Sequence, residues 1–257
     1  MATYKKRGHK PSNKEERQKA VEEESTTAEV FNTLDESASK TETWVADNQK
    51  YIYIIVGVAI VVVLGYLGYN RFILEPKQTE AANEMAQAQD YMASALRASG
   101  AESDSLYNLA LNGGEGKYGF LDIIDNYGGT DAANLAHYNA GFAYLRTGKY
   151  QEAIEQLESF NSDDEIFAAL ATGGIGDAFL QLDQPEEALG YYEKAAEMRS
   201  NSFTTPRFLL KAAITAIQLG EVDAAEEYLL EIEDEYPDAP EAEKVPVYLG
   251  QARAKQQ

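Results

Sequence analysis

The chain has 257 residues, 44% of them apolar, enough for a sizeable core in one large domain or two small ones. It contains no cysteine, which rules out disulfides and thiolate metal sites. The net charge of −21 is unevenly placed: residues 1–50 carry nine Lys/Arg against ten Asp/Glu, and residues 75–257 carry 12 against 33, a balance that disfavours any nucleic-acid partner for the C-terminal part.

Residues 1–48 read as a polar tail. The first 25 are charged, with seven Lys/Arg in the stretch 4–19, and lack the apolar content to fold, so they are expected to be disordered. From about Ser25 the character changes. Val30, Leu34, Ser37, Thr41, Trp44 and Val45 recur at three- and four-residue steps behind Thr27 as an N-cap. This spacing predicts a short amphipathic helix over 28–46, either a docking helix or a helical lead-in to the segment that follows.

That segment, YIYIIVGVAIVVVLGYLGY (51–69), is 19 residues without a charge. As a helix it spans about 28 Å, close to the ~30 Å hydrocarbon thickness of a bilayer. Tyr51 and Tyr53 mark one end and Tyr66, Tyr69 and Phe72 the other, where amphipathic rings favour the headgroup zone. A transmembrane helix is therefore expected over 49–73, in contact with a lipid bilayer. The run begins fifty residues into the sequence and is followed by Asn70, Arg71 and Phe72 rather than small residues, unlike a cleaved signal peptide. The nearest charges tie, Lys40 and Lys50 against Arg71 and Lys77, so orientation rests on the basic tail and the acidic C-terminal part. Those place the N-terminus in the cytoplasm and the C-terminal domain outside it. Gly57, Gly65 and Gly68 share one face of the span, a smooth surface on which a second helix can pack closely.

Residues 74–130 read as a linker helix and a degenerate helical repeat. KQTEAANEMAQAQDYMASAL (77–96) places Ala82, Met85, Ala88, Met92 and Ala95 on one face, and a polar break follows over 98–105. NGGEGKYG (112–119) is a connector. A phosphate-binding loop needs G-x-x-x-x-G-K-[ST], and here Leu111 stands at the first glycine position and Tyr118 follows the lysine. A helix over 119–127 stops at Gly128 and Gly129.

Residues 131–257 hold three similar windows, each two helices joined by a tight turn. Aligned on their turns, Gly141, Gly176 and Ala213 coincide, as do Ala153, Ala188 and Ala225, and Leu157, Tyr192 and Leu229. The alanines are 35 and 37 residues apart. A period near 34 with a small residue in the first helix and an early alanine in the second is the tetratricopeptide pattern. The fold class is thus all-α, an α-solenoid behind one N-terminal transmembrane helix. Gly141 sits in a helix interior at a cost of about 1 kcal/mol, which the burial of one Leu or Tyr against it, about 1.5–3 kcal/mol, offsets. Gly173 and Gly174 beside Gly176 are more than one helix contact requires. Pro185 and Pro206 open helices, Gly148 and Gly220 close them, and the stretch from Glu243 supplies a polar-backed capping helix.

The first helices of such units line an inner face, here Tyr138, Phe142 and Leu145, then Asp177 and Leu180, then Leu210, Ile214 and Ile217. An aromatic and aliphatic groove ringed by acid suits extended or amphipathic polypeptide, including segments with basic residues. Nothing points to an enzyme, a metal or a cofactor. His9 lies in the tail, His137 takes a packing position, and the acidic run 161–165 lacks the spaced ligands of a calcium loop.

Polar tail, single span, alanine-rich helix and small acidic repeat domain, with the repeats at 139–157, 175–195 and 212–232, together resemble the YfgM-like family, ancillary subunits of the bacterial Sec translocon. The resemblance implies an inner-membrane protein with a periplasmic domain. It further implies association with SecYEG, and partnership with a membrane-anchored periplasmic chaperone resembling a prolyl isomerase. The expected function is an adaptor in protein export and early folding. The alternative is a structural scaffold of another envelope assembly, in secretion, division or outer-membrane biogenesis.

Overall fold

The computed structural model describes the backbone of residues 14–198 and 200–255, and side chains from residue 41 onward within those ranges. The described residues up to Tyr69 form one unit and those from Asn70 a second.

The first unit is helix α1 (Lys14–Tyr69). Where the sequence suggests a largely disordered tail and a separate helix over 28–46, the backbone is helical without a break from Lys14. No proline or glycine occurs between Pro11 and Gly57, and Glu, Lys, Gln and Ala dominate the first turns, so nothing interrupts the helix. Residues 1–13, with His9 and part of the basic cluster, lie outside the described residues. Along the apolar run the large side chains are exposed, and this is the one stretch among the described residues long and apolar enough to cross a membrane. A Cβ built at Gly57, Gly65 or Gly68 would meet nothing within 4 Å, so that face is open in the single chain.

The second unit opens with a π-helical turn (Asn70–Leu74) and helix α2 (Glu75–Ala95). Helix α2 buries Ala81, Met85, Ala88 and Ala95, so Ala81 takes the place expected of Ala82, which is exposed. Helix α3 (Ala101–Asn112) folds back on α2, and Ser103 Oγ donates to the Ala95 carbonyl at 2.9 Å. The expected polar break is thus short. The helical repeat expected before residue 130 takes a different form: α3 packs chiefly on α2, while α4 (Phe120–Asn126) packs on α5 (Asp131–Arg146). The glycine-rich connector closes on itself through a Gly114–Lys117 bridge, and Gly113, at φ +77°, has no room for a Cβ beside the Lys117 carbonyl. Its glycines serve a backbone crossing.

Three antiparallel helix pairs follow, α5 with α6 (Tyr150–Ser159), α7 (Glu165–Gln181) with α8 (Pro185–Glu197), and α9 (Thr205–Leu219) with α10 (Val222–Glu235). Each packs against the next, and α11 (Val245–Lys255) closes the stack on α10 and α9 with Val245, Leu249 and Ala252 buried. Local chemistry fixes the starts. Thr130 Oγ1 accepts from the Ala133 N–H at 3.1 Å, and Asp164 Oδ1 accepts from the N–H groups of Ile166 and Phe167, each at 3.0 Å. The acidic run 161–165 is therefore a helix cap.

The small residues explain how the pairs approach. A Cβ at Gly141 would come within 2.7 Å of Leu157 Cδ2, and one at Gly176 within 2.9 Å of the Tyr192 ring. In the third pair Ala213, Ala225 and Leu229 occupy the same positions, fully buried. The extra glycines of α7 have their own partners. Gly173 admits the ring of Phe208 from α9, and Gly174 lies against Phe142 of α5 and Leu157 of α6. Three glycines thus serve four neighbouring helices of α7, namely α5, α6, α8 and α9, and packing accounts for all of them.

The first helix of each pair ends on a left-handed residue, Gly148 (φ +75°), Asp183 (φ +60°) and Gly220 (φ +84°). Asp183 alone carries a side chain there. Asp183→Gly is expected to raise the unfolding free energy by about 0.5–1 kcal/mol, read as a higher urea midpoint at unchanged slope.

Candidate polypeptide-binding groove

Between α5 and α7 runs an open groove of about 410 Å³. Phe142, Leu145 and Arg146 come from α5, Tyr150 from the start of α6, Asp177, Leu180 and Gln181 from α7, and Arg207 from α9. Helical spacing puts the α5 residues one turn apart on one face, and Asp177, Leu180 and Gln181 repeat that spacing on α7. Gly174 lets the Phe142 ring lie against the α7 backbone, since a Cβ there would come within 3.2 Å of Phe142 Cζ. The groove floor is therefore aromatic, and its depth depends on a glycine.

An aromatic cluster adjoins the floor. The Tyr138 ring lies 4.7 Å from Phe142, 5.0 Å from Phe160 and 5.3 Å from Phe167, the last edge-on. Phe167 and its neighbour Ile166 are exposed. Burial pushes the Tyr138 hydroxyl above its ordinary range, against a smaller opposing pull from the positive charge of Arg207.

The charges divide sharply. Asp177 is engaged twice: Tyr192 Oη donates to its Oδ1 at 2.7 Å, and Lys211 of α9 forms an ion pair with the same oxygen. The Lys211 ammonium also stands 5.3 Å from the centroid of the Tyr192 ring. Burial, then the Asp177 charge and hydrogen bond, raise the Tyr192 hydroxyl far above its ordinary range, so it stays a donor throughout the physiological span. Tyr150 Oη donates to Gln181 Oε1 at 3.3 Å. Arg146 and Arg207 are exposed, and neither has a carboxylate at ion-pair distance among the described residues.

Of the residues expected to line the groove, Phe142, Leu145, Asp177 and Leu180 come together in it, and Tyr138 joins through its contact with Phe142. Leu210 and Ile217 lie elsewhere, buried in the core shared by the second and third pairs and α11, with Ile214 packed half-buried against it. The capping helix accounts for Ile217: Leu249 and Ala252 share its core, and Lys255 Nζ donates to its carbonyl at 2.6 Å. Sequence reasoning missed Arg146 and Arg207. Arg207, Lys211 and Ile214 follow a helical i, i+4, i+7 spacing that carried the signal, but a search for apolar residues passes over it. His137 is half-buried, its Nδ1 2.8 Å from Gln156 Oε1 of α6, a packing role. Among the described residues no group of three or more His, Cys, Asp or Glu side chains is placed to hold a metal ion.

Family models of the tetratricopeptide repeat match residues 174–240, from the second half of α7 through α10, and residues 136–160, most of α5 with α6. No curated protein matches the chain. The chain carries tetratricopeptide repeats, stacked helix pairs of the kind that serve as protein–protein adaptors.

Proposed function

We propose that the protein is a membrane-anchored adaptor of the bacterial inner membrane whose periplasmic repeat domain takes up partner or client polypeptide in the α5–α7 groove. Its work is that of an ancillary subunit of the Sec translocon, assisting export and early folding beside SecYEG and a membrane-anchored prolyl-isomerase-like chaperone. The observation that carries the reading is an aromatic-floored groove in a tetratricopeptide stack, on a chain that also holds a helix long and apolar enough to span a bilayer. A span would tether the repeats to the membrane in which the channel lies. The open glycine face of α1 offers a place for a neighbouring transmembrane helix.

Two measurements test this. A reporter active only outside the cytoplasm, fused after Gln257, is expected to be active; a fusion active only inside the cell would end the export reading. Pull-down in mild detergent is expected to recover SecY with a chaperone, and the Tyr138→Ser/Phe142→Ser variant to lose most of the captured client. Recovery of other envelope machinery without SecY would favour the scaffold reading instead.

A further inference from the structure

The groove's charge is opposite to that of the domain around it. Residues 75–257 carry 12 Lys/Arg against 33 Asp/Glu, yet the groove's one carboxylate, Asp177, is neutralised by Lys211, and its two remaining ionised groups are both arginines. In so acidic a chain an arginine has carboxylates to pair with, and Arg146 and Arg207 pair with none of those described. Both line one cavity together with Phe142, Leu145 and Leu180. A planar guanidinium presents paired N–H donors that match a carboxylate, and it keeps its charge at every physiological pH.

We propose that the groove selects extended polypeptide in which Asp or Glu side chains flank an apolar residue, the carboxylates on Arg146 and Arg207 and the apolar side chain against Phe142. This rests on the polypeptide-binding reading above and reverses the preference for basic segments that the overall charge suggests. The wider acidic field does not cancel it. At ~0.15 M salt the screening length is about 8 Å, so exposed charges beyond the groove are largely screened while direct guanidinium–carboxylate contacts are not. A flat acidic surface rejects such a segment; a groove with two arginines that pair with no described carboxylate holds it, and the same contrast keeps basic segments out.

The test uses the full chain in detergent at ~0.15 M salt and a labelled nine-residue peptide with one Leu, one Phe and three Glu, read by fluorescence anisotropy. Versions with Gln or Lys in place of Glu serve as comparisons. The Glu peptide is expected to bind about tenfold tighter than the Gln peptide, the Lys peptide weakest, and Arg146→Glu or Arg207→Glu to weaken the Glu peptide about tenfold each. The double reversal should bind the Lys peptide better than the native protein does, a gain that misfolding cannot produce. If the three peptides bind alike, if the Lys peptide binds native protein best, or if the reversals leave the Glu peptide unaffected, the carboxylate preference is wrong. Loss of client by the Tyr138→Ser/Phe142→Ser variant would still sustain the groove in that case. If that variant captures client normally, the groove reading falls as well.

Discussion

Gly173→Ala will lower the unfolding free energy by about 2 kcal/mol, while the same change at Gly190 will raise it by about 1 kcal/mol. Both glycines lie inside helices, and alanine is the better helix former by about 1 kcal/mol at each. At Gly190 of α8 that gain stands alone, since a Cβ there would meet nothing within 4 Å. At Gly173 the Cβ would enter the Phe208 ring. The ring cannot swing clear. Phe208 is 2% exposed and lies nearly parallel to Tyr192, with centroids 6.5 Å apart, and Tyr192 is held by its bond to Asp177. Overpacking of a fixed core costs about 1–3 kcal/mol, and more where no rotamer relieves it, which outweighs the helix gain. Phe208→Leu should recover part of the loss in the Gly173→Ala background while being destabilising alone. Urea unfolding of the full chain in detergent, followed by helical circular dichroism, gives all four values. A Gly173→Ala protein as stable as the native one would show that the α7–α9 contact is slack.

This contact also marks where the sequence stops being informative. The recurrence of Gly141, Gly176 and Ala213, each opposite an alanine and a large residue of the second helix, is written at a fixed period, because a contact inside one helix pair involves residues a fixed number of positions apart. Contacts between pairs carry no such signature. Gly173 meets Phe208 and Gly174 meets Leu157 only because successive pairs are rotated by an amount that no spacing encodes. The groove was half legible for the same reason. Phe142, Leu145, Asp177 and Leu180 follow from the register of the first helices, whereas Arg207 reaches the groove from the next pair. Ile217 has the register of Leu145 and Leu180 and is still buried, since α11 is there to cover it. The sequence marked the capping helix, but not which residues it would remove from the surface.

Leu157→Ala should cost about 3–4 kcal/mol, a large part of the ~5–15 kcal/mol that holds a typical domain. Leu157 is 2% exposed and fills two gaps at once, one methyl branch beside Gly141 of its own pair and the other beside Gly174 of the next. Truncation leaves a cavity that neither backbone can close, since the surrounding pairs are fixed by Tyr192 and Phe142 on either side. The neighbouring glycine then changes its character. In the native protein Gly141→Ala puts a methyl against Leu157 and destabilises; in the Leu157→Ala protein the same methyl meets chiefly the Ala153 carbonyl oxygen, at 3.3 Å, and keeps part of its helix gain of about 1 kcal/mol. The sign of the Gly141→Ala effect should therefore invert between the two backgrounds, an outcome that general loosening of the fold does not produce. Hydrogen exchange locates the damage. In a stack whose pairs touch only their neighbours, protection should fall first in α5 and α6, and α9 to α11 should stay close to native. Uniform loss across all the helices would mean that the three pairs unfold as one block, and that the groove between α5 and α7 is no softer than the capped end.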